Sequence, residues 1–391
     1  MSEIPVIAFT GGGSGGHIYP GLAVIERLRE NFKGRIVWIG SRKEADRGVV
    51  EAAGIEYFAI PSGKLRRNIS LENATDAFKV LAGYWASRNF LSSLKPALLF
   101  SKGGYVSVPP CAAAASLRVP VFTHESDLTP GLATRLNAKR AERILVSYEK
   151  TLEFLPEHLR KRAVVVGNPV RASISRGDSA RGRRFLGAPA DSPVVLFVGG
   201  SQGARQVNEL VLAALPRLIK RAFVAHQTGA WTGTMAATVE ARAAGGETGG
   251  RTIDGRLVGI ANSSERYRPF DYLGDEMPDV LAAADIVVGR AGAGTLWECG
   301  ALGKPTVLIP LFGSGTRGDQ VDNARLFSEA GAAKTLIGAE ASPDALFAAI
   351  CEFLDDPSAL KKAGEAARRV AGADAAQAVS NLILEKIGGS R

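Results

Sequence analysis

Four times in this chain a short apolar run ends in a glycine-rich turn that opens a helical pattern. The first run is Ile4–Phe9, followed by Thr10-Gly11-Gly12-Gly13-Ser14-Gly15-Gly16-His17 and then Ile18–Glu30, with Leu22, Val24, Ile25 and Leu28 at helical spacing. Ala97–Phe100 leads to Ser101-Lys102-Gly103-Gly104-Tyr105, and Pro193–Val198 to Gly199-Gly200-Ser201-Gln202-Gly203-Ala204. Asp285–Val288 leads to Gly289-Arg290-Ala291-Gly292-Ala293-Gly294-Thr295. Strand, turn and helix in repetition restrict the fold to parallel sheets covered by helices on both faces, because parallel neighbours need a crossover. Glycine in such a turn admits a ligand close to the backbone, and the helix start behind it offers unpaired N–H groups.

The pattern runs twice. Strands at Arg35–Ile39, Val119–Thr123, Arg143–Ser147 and Ala163–Val166 complete a first half, and Gly167-Asn168-Pro169-Val170-Arg171 reads as a hinge. Strands at Arg221–His226 and Thr306–Pro310, with a helix from Gly318 through Glu329, belong to a second half. The segment Thr228–Asn262 is rich in Gly, Thr and Ala and reads as a helix near Met235–Ala244 followed by a loop. Beyond Ser342 the chain is mostly helical, ending in Ala375–Ile387. The expected class is α/β, two Rossmann-like domains facing a cleft, drawn as 1–167, 168–355 and C-terminal helices 356–391 returning to the first domain. A dinucleotide site would place an acid after the second strand. Gly40-Ser41-Arg42-Lys43-Glu44 stands there instead.

Charge and composition narrow the partners. The 391 residues carry a net charge of +9, which suits nucleic acid, an anionic membrane or a phosphorylated substrate. Three scattered cysteines (Cys111, Cys299, Cys351) form neither a disulfide frame nor a zinc pattern and fit a reducing cytoplasm. No apolar run is long enough to span a membrane, and the first residues lack the basic start of a signal peptide. Residues 60–100 hold six Lys/Arg against two Asp/Glu, interleaved with large apolar residues. Phe78, Leu81 and Trp85 recur at helical spacing. That spacing fits a core-facing helix, and it fits a peripheral patch that inserts among anionic headgroups.

The motifs together resemble the MurG family. The resemblance rests on Thr10–Pro20, Ser101–Pro109 (SKGGYVSVP), His124–Ala133 (HESDLTPGLA), Val166–Arg171 (VGNPVR), Gly199–Ala204 (GGSQGA), Arg290–Glu298 and Arg317–Ala324 (RGDQVDNA), in order along nearly the whole chain. It implies a GT-B type glycosyltransferase of peptidoglycan synthesis, peripheral on the cytoplasmic face of the inner membrane and tied to cell shape and division. Such enzymes move N-acetylglucosamine from UDP-N-acetylglucosamine to undecaprenyl-diphospho-muramoyl-pentapeptide (lipid I), making lipid II.

Carried over by position, the resemblance places Ser14, Gly15 and Gly16 against the sugar nucleotide, with Arg171 and Ser201 near its diphosphate. Leu273 and Gly274 meet the uracil. Ala293, Gly294 and Thr295 frame the nucleotide, Glu298 accepts from ribose hydroxyls, and Gln320 and Asn323 bind the sugar. His17 is the expected base, with Glu125 and Asp127 as rivals. Gly13, Gly103, Gly104, Tyr105 and Asp127 face the acceptor, and residues 64–91 become the membrane surface. Without an Asp-x-Asp pair, no metal or other cofactor is expected; dipoles and Arg171 are expected to stabilise the leaving group. The partners implied are UDP-N-acetylglucosamine, lipid I and the anionic inner membrane face, with no nucleic acid. A UDP-N-acetylglucosamine 2-epimerase of related form is the rival enzyme, and a basic nucleotide- or RNA-binding protein the rival without catalysis.

Overall fold

The computed structural model describes residues 4–63, 71–199, 204–229, 251–253, 256–258, 265–313 and 316–388. The chain forms two compact units, one of Met1–Arg171 with Ala373–Arg391 and one of Ala172–Gly372. The return to the first unit begins at Ala373; the helix Pro357–Ala371, expected to return with it, stays with the second unit.

The first unit holds a seven-stranded sheet in the order β3-β2-β1-β4-β5-β6-β7, every neighbouring pair parallel. The strands are β1 Val6–Thr10, β2 Arg35–Gly40, β3 Glu56–Ala59, β4 Leu98–Ser101, β5 Val121–Glu125, β6 Arg143–Val146 and β7 Ala163–Val165. The chain winds outward from β1 to β3, then crosses back to place β4 on the other side of β1. Alternation along β1 sends Ile7 and Phe9 to one helical layer and Ala8 to the other. The first layer includes Val24, Ile25 and Leu28 of helix Tyr19–Asn31 and Val379 and Ile383 of the last helix, Ala375–Gly388. The second takes Leu91 of the long helix Leu71–Leu94 and Cys111, Ala113 and Ala114 of helix Val108–Ser116.

That long helix rules out the core-facing reading of Phe78, Leu81 and Trp85. They are 73%, 55% and 54% exposed, while Gly83, Ser87 and Leu91 face inward. A Cβ at Gly83 would sit 2.3 Å from the Pro61 carbonyl, so glycine there permits the close approach. The helix is apolar on both its buried and its solvent side.

The second unit holds a six-stranded parallel sheet in the order β12-β9-β8-β13-β14-β15. Its strands are β8 Val194–Val198, β9 Phe223–Gln227, β12 Tyr267–Phe270, β13 Ile286–Gly289, β14 Thr306–Leu308 and β15 Ala333–Thr335. A separate antiparallel pair, β10 Arg251–Ile253 and β11 Arg256–Val258, falls in the Gly-rich segment. The helix expected near Met235–Ala244 lies outside the described residues. Val195, Phe197, Val224, Ile286 and Val288 form the sheet side of a core closed by Val207, Val211, Leu346, Ile350 and Phe353. The Arg-rich stretch after Arg171 is helical at Ala172–Ser175 and Ser179–Leu186. Gly177 and Gly182 allow it to lie against helix Met277–Ala283, since a Cβ at either would meet a carbonyl of that helix at 2.1 or 2.0 Å.

Candidate active site

In the first unit the strand order reverses between β1 and β4, and a doubly wound sheet opens a crevice at such a point. Two glycine turns fill it. Gly11–Ser14 leaves β1 and enters a short 3-10 turn, Gly15–His17, just before helix Tyr19–Asn31. Gly103 and Gly104, with φ of 84° and 76°, leave β4 and enter the turn Tyr105–Ser107. A Cβ on Gly104 would meet His17 Cδ2 at 2.8 Å and the Gly12 carbonyl at 2.9 Å, and one on Gly13 would meet the Tyr105 ring at 2.6 Å. The turns therefore touch through backbone and ring, which only glycine permits. His17 Nδ1 faces the Lys102 carbonyl at 3.3 Å. A carbonyl only accepts, so in the neutral ring Nδ1 carries the hydrogen and Nε2 the lone pair.

Other side chains here are bound within the protein. The Asp46 carboxylate accepts from the Gly13 amide and the Ser41 hydroxyl, both at 2.7 Å. The Gly13 N–H is thus engaged by an anion of the protein. Glu125, buried, accepts from the amides of Ser126 (2.9 Å), Asp127 (3.1 Å) and Gly131 (2.9 Å). Its carboxylate, expected as a rival base, caps the loop after β5. Asp127 is half-buried on that loop. His124 is fully buried with Nε2 on the Gly167 carbonyl at 2.8 Å; burial, then the nearby Lys102 cation, holds its pKa well below the ordinary value. Arg171, last residue of this unit, lies over the Tyr19 ring at 4.7 Å.

In the second unit the order reverses between β8 and β13. After β13 the chain enters helix Ala293–Leu302 through an extended Gly292. A Cβ on Gly292 or Gly294 would meet nothing within 4 Å, so the start of this helix is open on that side. Its first amides, at Ala293, Gly294 and Thr295, precede the first intrahelical bond, Leu296 N to the Gly292 carbonyl at 3.1 Å. Glu298 follows one turn later, half-buried.

Helix Asp319–Glu329 braces this corner. Gln320 Oε1 accepts from the Leu311 amide at 3.0 Å, and the fully buried Asn323 donates Nδ2 to the Ala291 carbonyl at 3.3 Å. Both expected sugar ligands thus hold the turns after β13 and β14. Leu273 is buried beyond β12, and the Gly274 amide donates to Glu276. Ser201 lies outside the described residues.

Sequence reasoning passed over Lys102, Asp46 and the Ser126–Asn168 contact. The signal for Lys102 is its place as a charge between a strand and two glycines.

The sequence matches the glycosyltransferase family 28 N-terminal domain over residues 7–146 and the C-terminal domain of that family over 194–379. A relative from Treponema denticola, named UDP-N-acetylglucosamine–N-acetylmuramyl-(pentapeptide) pyrophosphoryl-undecaprenol N-acetylglucosamine transferase, is 46% identical over 346 residues, covering 86% of this chain and 85% of its own. The crystal structure of Acinetobacter baumannii MurG superposes with a TM-score of 0.71 at 22% identity, over 98% of this chain and 99% of that one. A UDP-GlcNAc 2-epimerase from Neisseria meningitidis gives 0.66 at 13% identity, over 99% and 100% of the chains, a likeness of fold. Two parallel-sheet units, each matched by its own family 28 domain, and close identity along most of the sequence place the chain in the MurG family of glycosyltransferases.

Proposed function

We propose that the protein transfers N-acetylglucosamine from UDP-N-acetylglucosamine to the muramoyl 4-hydroxyl of undecaprenyl-diphospho-muramoyl-pentapeptide, with inversion at the anomeric carbon. The observation that carries this is the 46% identity, over 86% of the chain, to a transferase named for that reaction. The second unit takes the donor. Open amides at Ala293–Thr295 suit a diphosphate, and Glu298 suits two ribose hydroxyls. Leu273 and Gly274 meet the uracil. Gln320 meets the sugar, and Asn323 serves it through the turn it braces. Ser14, Gly15, Gly16, Arg171 and Ser201 complete the donor contacts.

The first unit takes the acceptor at Gly103, Gly104, Tyr105 and Asp127. His17 Nε2 accepts the proton of the 4-hydroxyl as its oxygen bonds to the anomeric carbon. The bond from that carbon to UDP breaks, and the electron pair leaves on the diphosphate. The enzyme works as a peripheral protein on the cytoplasmic membrane face, where Phe78, Leu81 and Trp85 enter the lipid. Among the described residues no helix is long and apolar enough to cross a membrane.

The test is UDP release. Wild-type protein should release UDP from UDP-N-acetylglucosamine only when a polyprenyl-diphospho-muramoyl-pentapeptide is added. His17→Ala should lower that rate about 10²- to 10⁴-fold while donor binding persists. Equal UDP release without acceptor would sink the transferase reading in favour of an epimerase-like enzyme, and full turnover by His17→Ala would remove the base.

A further inference from the structure

Lys102 stands at the carboxyl end of β4 with 1% of its surface exposed. A buried ammonium must find its partners in the protein. Here Nζ donates to Ser126 Oγ, and Ser126 Oγ donates to Asn168 Oδ1 at 3.1 Å. Glu125 and Asp127, on either side of Ser126, favour the charged form against the burial that disfavours it. The backbone of the same residue reaches the other way. Its amide donates to the Thr10 carbonyl at 2.8 Å, and its carbonyl faces His17 Nδ1 at 3.3 Å. Lys102 thus joins the end of β1, the turn that carries His17, the loop that carries Asp127 and the chain beyond β7.

Folding alone does not call for a cation in this place, since well-packed apolar side chains often replace buried ion pairs without loss of stability. The carboxylate of Glu125 already has three amides of its own loop. The charge of Lys102 bears on Glu125 first and then on Asp127, and so on the loop that carries both, while its carbonyl sets the ring of His17.

We propose that Lys102 is a positioning residue for the transfer: it holds His17 and the Asp127 loop in one arrangement, so that both meet the same acceptor sugar. This rests on the first unit being the acceptor side. The titratable groups that face Lys102 are Glu125, Asp127 and His124 from β5 and its loop, and His17 from the turn after β1.

Lys102→Met removes the charge and keeps the carbonyl. With a short-chain polyprenyl-diphospho-muramoyl-pentapeptide, its kcat/KM for acceptor should fall at least about tenfold, while Kd for UDP-N-acetylglucosamine stays within about twofold of wild type. Burial lowers the Lys102 pKa to about 8, so wild-type turnover should decline above that pH and the decline should be missing from Lys102→Met. Adding Asp127→Asn to Lys102→Met should recover part of the loss, because a neutral amide needs no counter-charge. Acceptor kinetics equal to wild type overturn the proposal, and so does a parallel loss of donor affinity, which marks a structural role. If Lys102→Met does not fold, Ser126→Ala serves. It removes a partner of the ammonium and should move the alkaline decline to lower pH, and an unmoved decline overturns the proposal. A wild-type protein without acceptor-dependent UDP release overturns the proposed function itself, whatever the variants do.

Discussion

His226, in β9, has no exposed surface. Asn208 donates Nδ2 to the Thr228 carbonyl at 2.9 Å, which turns its oxygen toward His226 Nε2 at 3.0 Å; the Tyr267 hydroxyl meets Nδ1 at 3.2 Å. Nε2 therefore donates and Nδ1 accepts, so the neutral ring is satisfied on both sides. Burial pushes its pKa down to about 3. In the unfolded chain the pKa is near 6.5. Between those values the unfolded state binds a proton that the folded state refuses, so stability falls as pH drops through the window. From pH 7 to pH 4.5 the wild type should lose about 2–3 kcal/mol more than His226→Gln in chemical unfolding. Equal losses would show that the ring does not carry the acid sensitivity. At this scale the sequence is a partial guide. It marks polar residues at strand ends, such as His124–Asp127, because a strand's apolar pattern stops there. It does not show that Glu125 turns back onto three amides of its own loop, or that Asp46, 33 residues from Gly13, reaches that amide. The Asp46 contact depends on β1 and β2 standing side by side, and the Glu125 contacts on how the loop after β5 folds back over its own strand end.

The two crossover turns make opposite demands on glycine. Gly104 holds φ at 76° against His17, so Gly104→Ala combines a disfavoured conformation with a clash. About 1–3 kcal/mol of stability should be lost, and acceptor turnover should fall with it. Gly292 is extended and open, so Gly292→Ala should leave thermal unfolding nearly unchanged. If the donor diphosphate lies at this helix start, the added methyl should weaken UDP-N-acetylglucosamine binding at least about tenfold in calorimetry. Unchanged donor affinity in Gly292→Ala would move the diphosphate elsewhere. The crossover strands were legible for a related reason. β1, β4, β8 and β13 are covered on both faces, so they read as apolar runs. β3, β12 and β15 are edge strands and carry Glu56, Arg268 and Lys334, so no such run announces them.

Each unit encloses its own core, yet the first also turns an apolar face outward. Phe78, Leu81 and Trp85 line the solvent side of helix Leu71–Leu94, with Lys79 and Arg88 on the same helix, in a chain of net charge +9. Three large apolar side chains left in water are costly unless they meet another phase; burying each is worth roughly 1.5–3 kcal/mol. A lipid surface would supply such a phase, and anionic headgroups would add about 1 kcal/mol for each nearby Lys or Arg. Replacing all three with serine removes apolar area that the folded core never used, so thermal stability should change by less than about 1 kcal/mol. Wild-type protein should co-sediment with vesicles containing phosphatidylglycerol and release progressively as salt rises, because the headgroup attraction is screened. The triple variant keeps only the screened electrostatic attraction, so it should release at much lower salt than wild type. Its turnover of a short-chain soluble acceptor should match wild type, while turnover of an undecaprenyl acceptor held in vesicles should fall at least about tenfold. A wild-type protein that ignores the vesicles, or a triple variant that releases at the same salt as wild type, would show that this face serves another contact.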